Sequence, residues 1–252
     1  MTRTATYFIS DLHLGATYFN NAIDNERRVV KWLRSIKDNA RELYLLGDVL
    51  DFWYEYRNVV PRGFTRFLGT LAELADEGVK ITWLIGNHDI WIFDYLPNEI
   101  GCEVIDGNCV REIDGKRFFM SHGDAIGSLK PGFKLIRKIF RNRFCQKIFA
   151  SIHPRWTISF AHNWSSHSRK AGGYQPRFEG EDKEPFIEFA RKYSEENDDI
   201  NYYLFGHRHI MLDYELDSNA RLVVLGDWIN HCSYAVFENG KLELKQWKDK
   251  CG

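Results

Sequence analysis

The stretch "WLIGNHDIW", residues 83–91, decides the fold. It begins as a plain buried strand, apolar and β-prone. It stops at Gly86 and then sets Asn87, His88 and Asp89 in a row. Three polar side chains at the tip of an apolar strand are costly to bury without partners. Such a tip belongs to a site.

Working outward, the first half of the chain repeats this design. "ATYFIS" (5–10) and "ELYLLGD" (42–48) read as strands like "KITWLIGN" (80–87). Between them, residues 22–38 carry Val29, Val30, Leu33 and Ile36 near one helical face. "GFTRFLGTLAELADEG" forms a second helix closed by Gly78. The order β-α-β-α-β predicts a buried, largely parallel sheet with crossover helices. Residues 109–121 read as two strands joined at Asp114–Gly115, a hairpin signal. "INYYLFGH", "MLDYELD", "RLVVLGDW", "SYAVFENG" and "KLELKQW" follow as short strands with turns between them. They predict a second, mostly antiparallel sheet. There is no internal repeat and no low-complexity linker, so residues 1–252 are expected to form one domain.

Every predicted strand that ends in a glycine also ends in a potential metal ligand. "ISDLHLG" supplies Asp11 and His13, two apart and so on one side of an extended chain. "LLGDVLDFW" supplies Asp48 and Asp51, "LIGNHD" Asn87 and His88, "FFMSHGD" His122, and "LFGHRH" His207 and His209. Singly, an Asp after a strand is usually a helix cap and a His usually a core or surface residue. Five strand ends all carrying Asp, Asn or His are harder to dismiss, because loops at the carboxyl ends of such strands converge on one crevice. Asp89 is expected to cap the next segment or to hold a ligand in place. His153, His162, His167 and His231 are taken as structural.

Four histidines, two aspartates and one asparagine are too many donors for one ion and suit two that share a carboxylate. All are nitrogen or oxygen donors, which favours Mn²⁺, Fe or Zn²⁺ in an open site over a thiolate zinc site. Two divalent ions against two carboxylates leave positive charge to attract a phosphate. Held ~3.5–4 Å apart, such ions stabilise an in-line displacement at phosphorus.

Composition excludes several other classes. Hydrophobic residues make up 44% of the chain, enough for a folded core. Cys102, Cys109, Cys145, Cys232 and Cys251 are odd in number and form no CxxC, so a reducing compartment fits better than a disulfide framework. There is no signal-peptide pattern and no uncharged apolar run near 20 residues. The expected location is therefore the cytoplasm. No GxGxxG, GxxxxGK[ST] or GxSxG occurs, so dinucleotide, P-loop and serine-hydrolase chemistries lack support.

Between Ala125 and Phe178 there is no acidic residue, against 11 Lys and Arg. "KPGFKLIRKIFRNRFCQKIFA" (130–150) places Phe133, Ile136, Phe140 and Phe144 at helical spacing among basic residues. This is either a docked helix with a solvated basic face or a surface for anionic or lipid ligands.

"DLH", "GDVLD", "GNHD", "HGD" and "GHRH", in this order over residues 11–209, resemble the calcineurin-like metallophosphoesterase superfamily. The resemblance implies an α/β, four-layer fold: two stacked mixed β-sheets flanked by helices, with a helical lid insertion at about 125–182. It implies Asp11, His13, Asp48 and His209 as ligands of one metal. It implies Asp48, Asn87, His122 and His207 for the other, with Asp48 bridging. Within the superfamily the chain looks like the UDP-2,3-diacylglucosamine pyrophosphohydrolases of the lipid A pathway. The early "DLHLG", "FW" at 52–53, the basic helical insertion and "VVLGDW" (223–228) carry that likeness. It implies two divalent ions, chiefly Mn²⁺, an anionic UDP-lipid substrate, and cytoplasmic location, peripheral on the inner face of the inner membrane. It implies no nucleic-acid partner and leaves oligomeric state open. "SRKA" (168–171) resembles lid residues that contact the glucosamine phosphate, which makes Ser168, Arg169 and Lys170, with Asn87, substrate-binding candidates.

The best-characterised enzymes of that family read "GNRD", whereas this chain pairs His88 with Asp51, as ordinary phosphoesterases do. Such a pair keeps an imidazole oriented and protonated, able to stabilise the transition state or protonate the leaving oxygen. The alternative role is support of the ligand shell. Another phosphoesterase activity, on nucleic acid, protein or nucleotide, is the competing function. A non-catalytic module comes third, since such proteins lose ligands and here none is missing.

Overall fold

The computed structural model describes residues 3–17, 21–127, 131–157, 177–217 and 220–248. The βαβαβ order of the first half holds. Strand β1 (Ala5–Ile9), helix α1 (Ala22–Ile36), strand β2 (Ala40–Leu46), helix α2 (Thr65–Asp76) and strand β3 (Lys80–Leu84) follow one another, and the three strands pair in parallel. Alternation along β1 explains the layering. Tyr7 and Ile9 face α1 and α2 with Val29, Leu33 and Phe67, while Phe8 points the other way into a second core.

After helix α3 (Tyr95–Ile100) and strand β4 (Glu103–Ile105), β5 (Cys109–Ile113) and β6 (Lys116–Ser121) form the expected hairpin. Asp114 and Gly115 both have positive φ, 47° and 72°, as a two-residue turn of this hand requires. Helices α4 (Pro131–Arg141) and α5 (Arg143–Ala150), a 3₁₀ turn at Glu181–Lys183 and helix α6 (Pro185–Ser194) lead to β7 (Tyr202–Phe205), β8 (Met211–Glu215), β9 (Arg221–Leu225), β10 (Ser233–Glu238) and β11 (Lys241–Gln246).

Two sheets result, ordered β11-β10-β1-β2-β3-β4 and β5-β6-β7-β9-β8. Phe8, Tyr44, Leu46 and Leu84 of the first pack against Phe118, Met120, Leu204 and Val223 of the second. Phe186, Ile187 and Ala190 of α6 cover the outer face of the second sheet, completing four layers.

The later strands depart from expectation in two ways. The second sheet has a parallel centre, β6-β7-β9, with antiparallel strands only at its edges. The β10–β11 hairpin leaves it and pairs antiparallel with β1, making the first sheet mixed. Period-2 patterning shows that strands exist but not which edge receives them.

The 130–150 stretch is two helices, not one. Asn142 interrupts it, and its side chain accepts hydrogen bonds from Phe144 N and Cys145 N to cap α5. No residue of α4 is buried. The pair is held through an aromatic floor: Trp91 Nε1 donates to Phe140 O, Tyr54 OH donates to Gln146 O, and Phe149 packs on both rings. Among the described residues no helix is long and apolar enough to cross a membrane.

Candidate metal centre

The tips of β1, β2, β3, β6 and β7 meet at one end of the two sheets. The backbone there is not extended. Asp11, His13, Asp48, His207 and His209 all take left-handed conformations, with φ between 44° and 64°. Asp and His tolerate this region better than most residues. Side chains two apart therefore share a site through successive left-handed turns rather than through strand alternation. The glycines before the ligands have a steric reason. A Cβ on Gly86 would lie 2.2 Å from Asp48 Oδ1, and one on Gly206 would lie 2.7 Å from Asp11 Oδ2.

In a first pocket, His209 Nε2 lies 3.3 Å from both Asp11 Oδ1 and His13 Nε2. Asp48 Oδ2 sits 3.7 Å from His13 Nε2 and 3.3 Å from His122 Nε2. In a second pocket, His122 Nε2 is 3.2 Å from Asn87 Oδ1, and Asp48, His122 and His207 bring ligand atoms within 4.8 Å of one another. The seven residues singled out as ligands from the sequence thus come together in two adjoining pockets, with Asp48 between them.

The donor set fits cations. His13 and His209 turn Nδ1 to carboxylates, Asp51 at 3.3 Å and Asp227 at 3.2 Å, so the proton sits on Nδ1 and the Nε2 lone pairs face each other. His122 Nδ1 donates to Leu46 O at 2.8 Å, which turns its Nε2 lone pair towards Asp48 and Asn87. Asp11 Oδ1 is buried with no hydrogen-bond partner. Converging acceptors of this kind need a positive charge between them. Burial pushes His122 down, but the charges of Asp48, Asp11 and Asp124 carry it up to about 10. Against burial, His122 and His88 hold Asp48 well below the usual carboxylate range. His207 is pushed down to about 4 by burial and by the neighbouring His122 charge.

A third grouping, His13, Asp51 and His88, has a different character. His88 Nδ1 donates to the backbone carbonyl of Asp51 at 3.0 Å, and the Asp51 carboxylate lies 3.3 Å from His13 Nδ1 and 3.5 Å from His88 Nδ1. The expected His88–Asp51 pair is thus a three-way contact in which the carboxylate stands closer to His13. His88 Nε2 is 4.0 Å from Asp48 Oδ2, on a side chain 19% exposed.

Asp89 does hold a ligand in place. Its carboxylate accepts from Gly86 N, Val49 N, Trp83 Nε1 and Asp48 N, bracing the loop that carries Asp48. Two supporting carboxylates escaped the sequence reading. Asp227 holds His209, and its signal was "VLGD", the strand–Gly–Asp pattern of "LLGD" repeated. Glu55 receives the N–H groups of residues 93–96, and no pattern in "WYEY" announces it. His231 lies 3.3 Å from Asp227, and His153 accepts from Arg155 N. Ser168, Arg169 and Lys170, with His162 and His167, lie outside the described residues.

The chain belongs to the calcineurin-like phosphoesterase family, whose model matches residues 5–211. The protein is accordingly a metallophosphoesterase, with groups of His and Asp side chains arranged to bind metal. Its relatives narrow the likeness. A Porphyromonas gingivalis protein named UDP-2,3-diacylglucosamine hydrolase is 40% identical, over 98% of this chain and 99% of its own. A protein of that name from Aeromonas hydrophila is 26% identical over 96% and 98%, and one from Neisseria meningitidis is 27% identical over 89% and 90%.

Proposed function

We propose that the chain hydrolyses UDP-2,3-diacylglucosamine within lipid A synthesis. Water adds to one phosphorus, the P–O–P bond breaks, and UMP and 2,3-diacylglucosamine 1-phosphate leave. The observation that carries this reading is the 40% identity to a relative of that name along almost the full length of both chains, insertion included.

Asp11, His13, Asp48 and His209 would hold one cation, and Asp48, Asn87, His122 and His207 the other. When bound, the pair supplies Lewis-acid activation of water and neutralises charge on the phosphoryl oxygens. The all-nitrogen-and-oxygen donor set suits Mn²⁺, Fe or Zn²⁺, and the family resemblance makes Mn²⁺ the first choice among them. His88, with its Nδ1 proton on the Asp51 carbonyl, turns Nε2 towards the cleft. When protonated it donates to a phosphoryl or leaving oxygen. Asp51 orients His13.

The insertion supports an acylated, anionic substrate. Leu135, Ile139, Phe144 and Ile148 are exposed on α4 and α5, beside Lys134, Lys138 and Lys147. Exposed apolar groups of this number rimmed by cations suit acyl chains and a peripheral contact with the cytoplasmic face of a membrane. Ser168, Arg169 and Lys170 contribute contacts to the sugar phosphate in this reading. In this reading residues 1–252 act as one catalytic domain with a basic helical insertion at about 125–182.

A second reading has one observation in its favour. Lys134, Arg137, Lys138 and Arg141 line a cavity of about 580 Å³, which would also suit a nucleic-acid backbone. Incubating the Mn²⁺-loaded protein with UDP-2,3-diacylglucosamine and, separately, with single-stranded DNA decides between them. UMP release without DNA cleavage is expected. Absence of UMP from a preparation that cleaves simple phosphodiesters overturns the proposal.

A further inference from the structure

The outer supports of the two pockets differ in charge. Asp227 is fully buried and follows β9 at Gly226. Its Oδ1 accepts from Ile229 N, Asn230 N and His231 N at 3.0, 2.7 and 3.1 Å, and this grip aims Oδ2 at His209 Nδ1, 3.2 Å away. Asp51 stands in the same relation to His13 at 3.3 Å. Both imidazoles of the first pocket therefore lean on a carboxylate. In the second pocket, among the described residues, no carboxylate stands at hydrogen-bond distance behind an imidazole; the buried Asp124 acts on His122 and His207 through space and is itself paired with Arg137 at 2.9 Å. His122 leans on the uncharged carbonyl of Leu46, and among the described residues no carboxylate forms an ion pair with His207.

We propose that Asp227 is a positioning residue and that, with Asp51, it makes the Asp11–His13–His209 pocket hold its cation more tightly than the Asn87–His122–His207 pocket. A carboxylate behind an imidazole fixes its tautomer and ring orientation and increases the negative charge the ligand offers. Loss of such a partner typically lowers metal affinity 10–100-fold. A backbone carbonyl fixes the tautomer and the orientation but adds no charge. Asp48 serves both pockets and cannot discriminate, and each pocket has two histidines. Asp124, the one further carboxylate acting on His122 and His207, is offset by Arg137 and Arg141, so the difference rests on the outer carboxylates and on Asp11 against Asn87, which reinforce one another. The first pocket fills first, and the second is the one that exchanges with solvent metal.

This inference rests on the two-cation reading of the centre, and calorimetric titration of the metal-free protein with Mn²⁺ separates the two. The parent should bind two ions in classes at least tenfold apart. Fewer than two ions overturns both readings. Asn87→Ala, which strips a donor from the second pocket, should abolish the weak class and spare the tight one. Asp227→Asn should weaken the tight class about 10–100-fold and shift the weak class less than about threefold. Asp51→Asn, on a different loop, should do the same, so a folding defect in one variant does not decide the matter. Thermal melts accompany each titration. Two ions bound with equal affinity, or both classes weakened alike in the two aspartate variants, overturns the proposal while leaving the two-cation reading intact.

Discussion

Glu55→Gln is predicted to destabilise the loops around the centre through a single oxygen. Glu55 Oε2 accepts from Phe93 N, Asp94 N and Tyr95 N at 2.5, 2.8 and 3.0 Å. Its Oε1 accepts from Trp53 Nε1 and Leu96 N at 3.1 and 3.2 Å. The side chain thus ties the segment after β2 to the segment after β3, and those segments carry Asp48, Asp51, Asn87 and His88. Glutamine offers one acceptor oxygen. With that oxygen on the three-donor side, its NH₂ faces Trp53 Nε1 and Leu96 N, and two buried donors lose their partner. Each unpaired donor costs about 1–3 kcal/mol, so the variant should lose about 4 kcal/mol. For a chain of this length 1 kcal/mol shifts the melting temperature by roughly 2–4 °C, which puts the expected drop at roughly 8–16 °C. Calorimetric melts of parent and variant, both stripped with EDTA, measure it. Glu55→Ala, which removes both acceptors, should melt lower still. If Glu55→Gln melts within about 2 °C of the parent, the bonds do not carry the load assigned to them.

Three further outcomes are expected. His88→Asn should lower kcat by about 10²–10⁴-fold with two ions still bound by elemental analysis, and a kcat within threefold of the parent would remove His88 from the chemistry. Gly86→Ala drives a Cβ into Asp48 Oδ1, so it should lose metal and activity together. A fully metallated, active variant would contradict the close approach. The third concerns pH. Against burial, His209 and the N–H groups of Asn230 and His231 hold the Asp227 carboxyl below the usual range. A depressed folded pKa means stability that is present above the unfolded value of about 4 and lost progressively as the pH falls below it. The melting temperature of the metal-free protein should fall steeply below about pH 4, and Asp227→Asn should flatten that slope. Parallel slopes would show that these bonds are not made.

The parts of this protein legible in its sequence are those fixed by local rules. Strands ending in glycine and then a ligand are visible because Gly86 and Gly206 must let a neighbouring carboxylate approach, so composition and chemistry coincide at one dipeptide. The hairpin at Asp114–Gly115 is visible because its turn demands positive φ twice. The destination of β10 and β11 is not, since pairing with β1 joins residues more than 220 positions apart, and alternation in a hairpin is equally compatible with either sheet. Strand β4, with three residues, offers too few positions for a period. Asp227 could have been found by matching its "LGD" to that of Asp48. Glu55 could not, because its role exists only once the segment 93–96 folds back over it.

The left-handed ligands explain why the centre needs so much support. A non-glycine residue in that region costs of order 1 kcal/mol or more, and five of the nine such residues among those described carry the candidate ligands. That total takes a large share of the ~5–15 kcal/mol by which a domain is usually stable. Strand pairing cannot offset it, because the ligands lie beyond the last ladder bonds. The loops instead stitch to one another. Asp11 N donates to Gly47 O, His13 N to Asp48 O, Gly206 N to His122 O and Trp228 N to Asp11 O. Asp11 Oδ2 takes Ser10 Oγ and His207 N, and Asp89 gathers four donors beneath Asp48. Each tip is thus fixed by a tip from another part of the chain. A cation that binds only this arrangement adds to its stability by mass action.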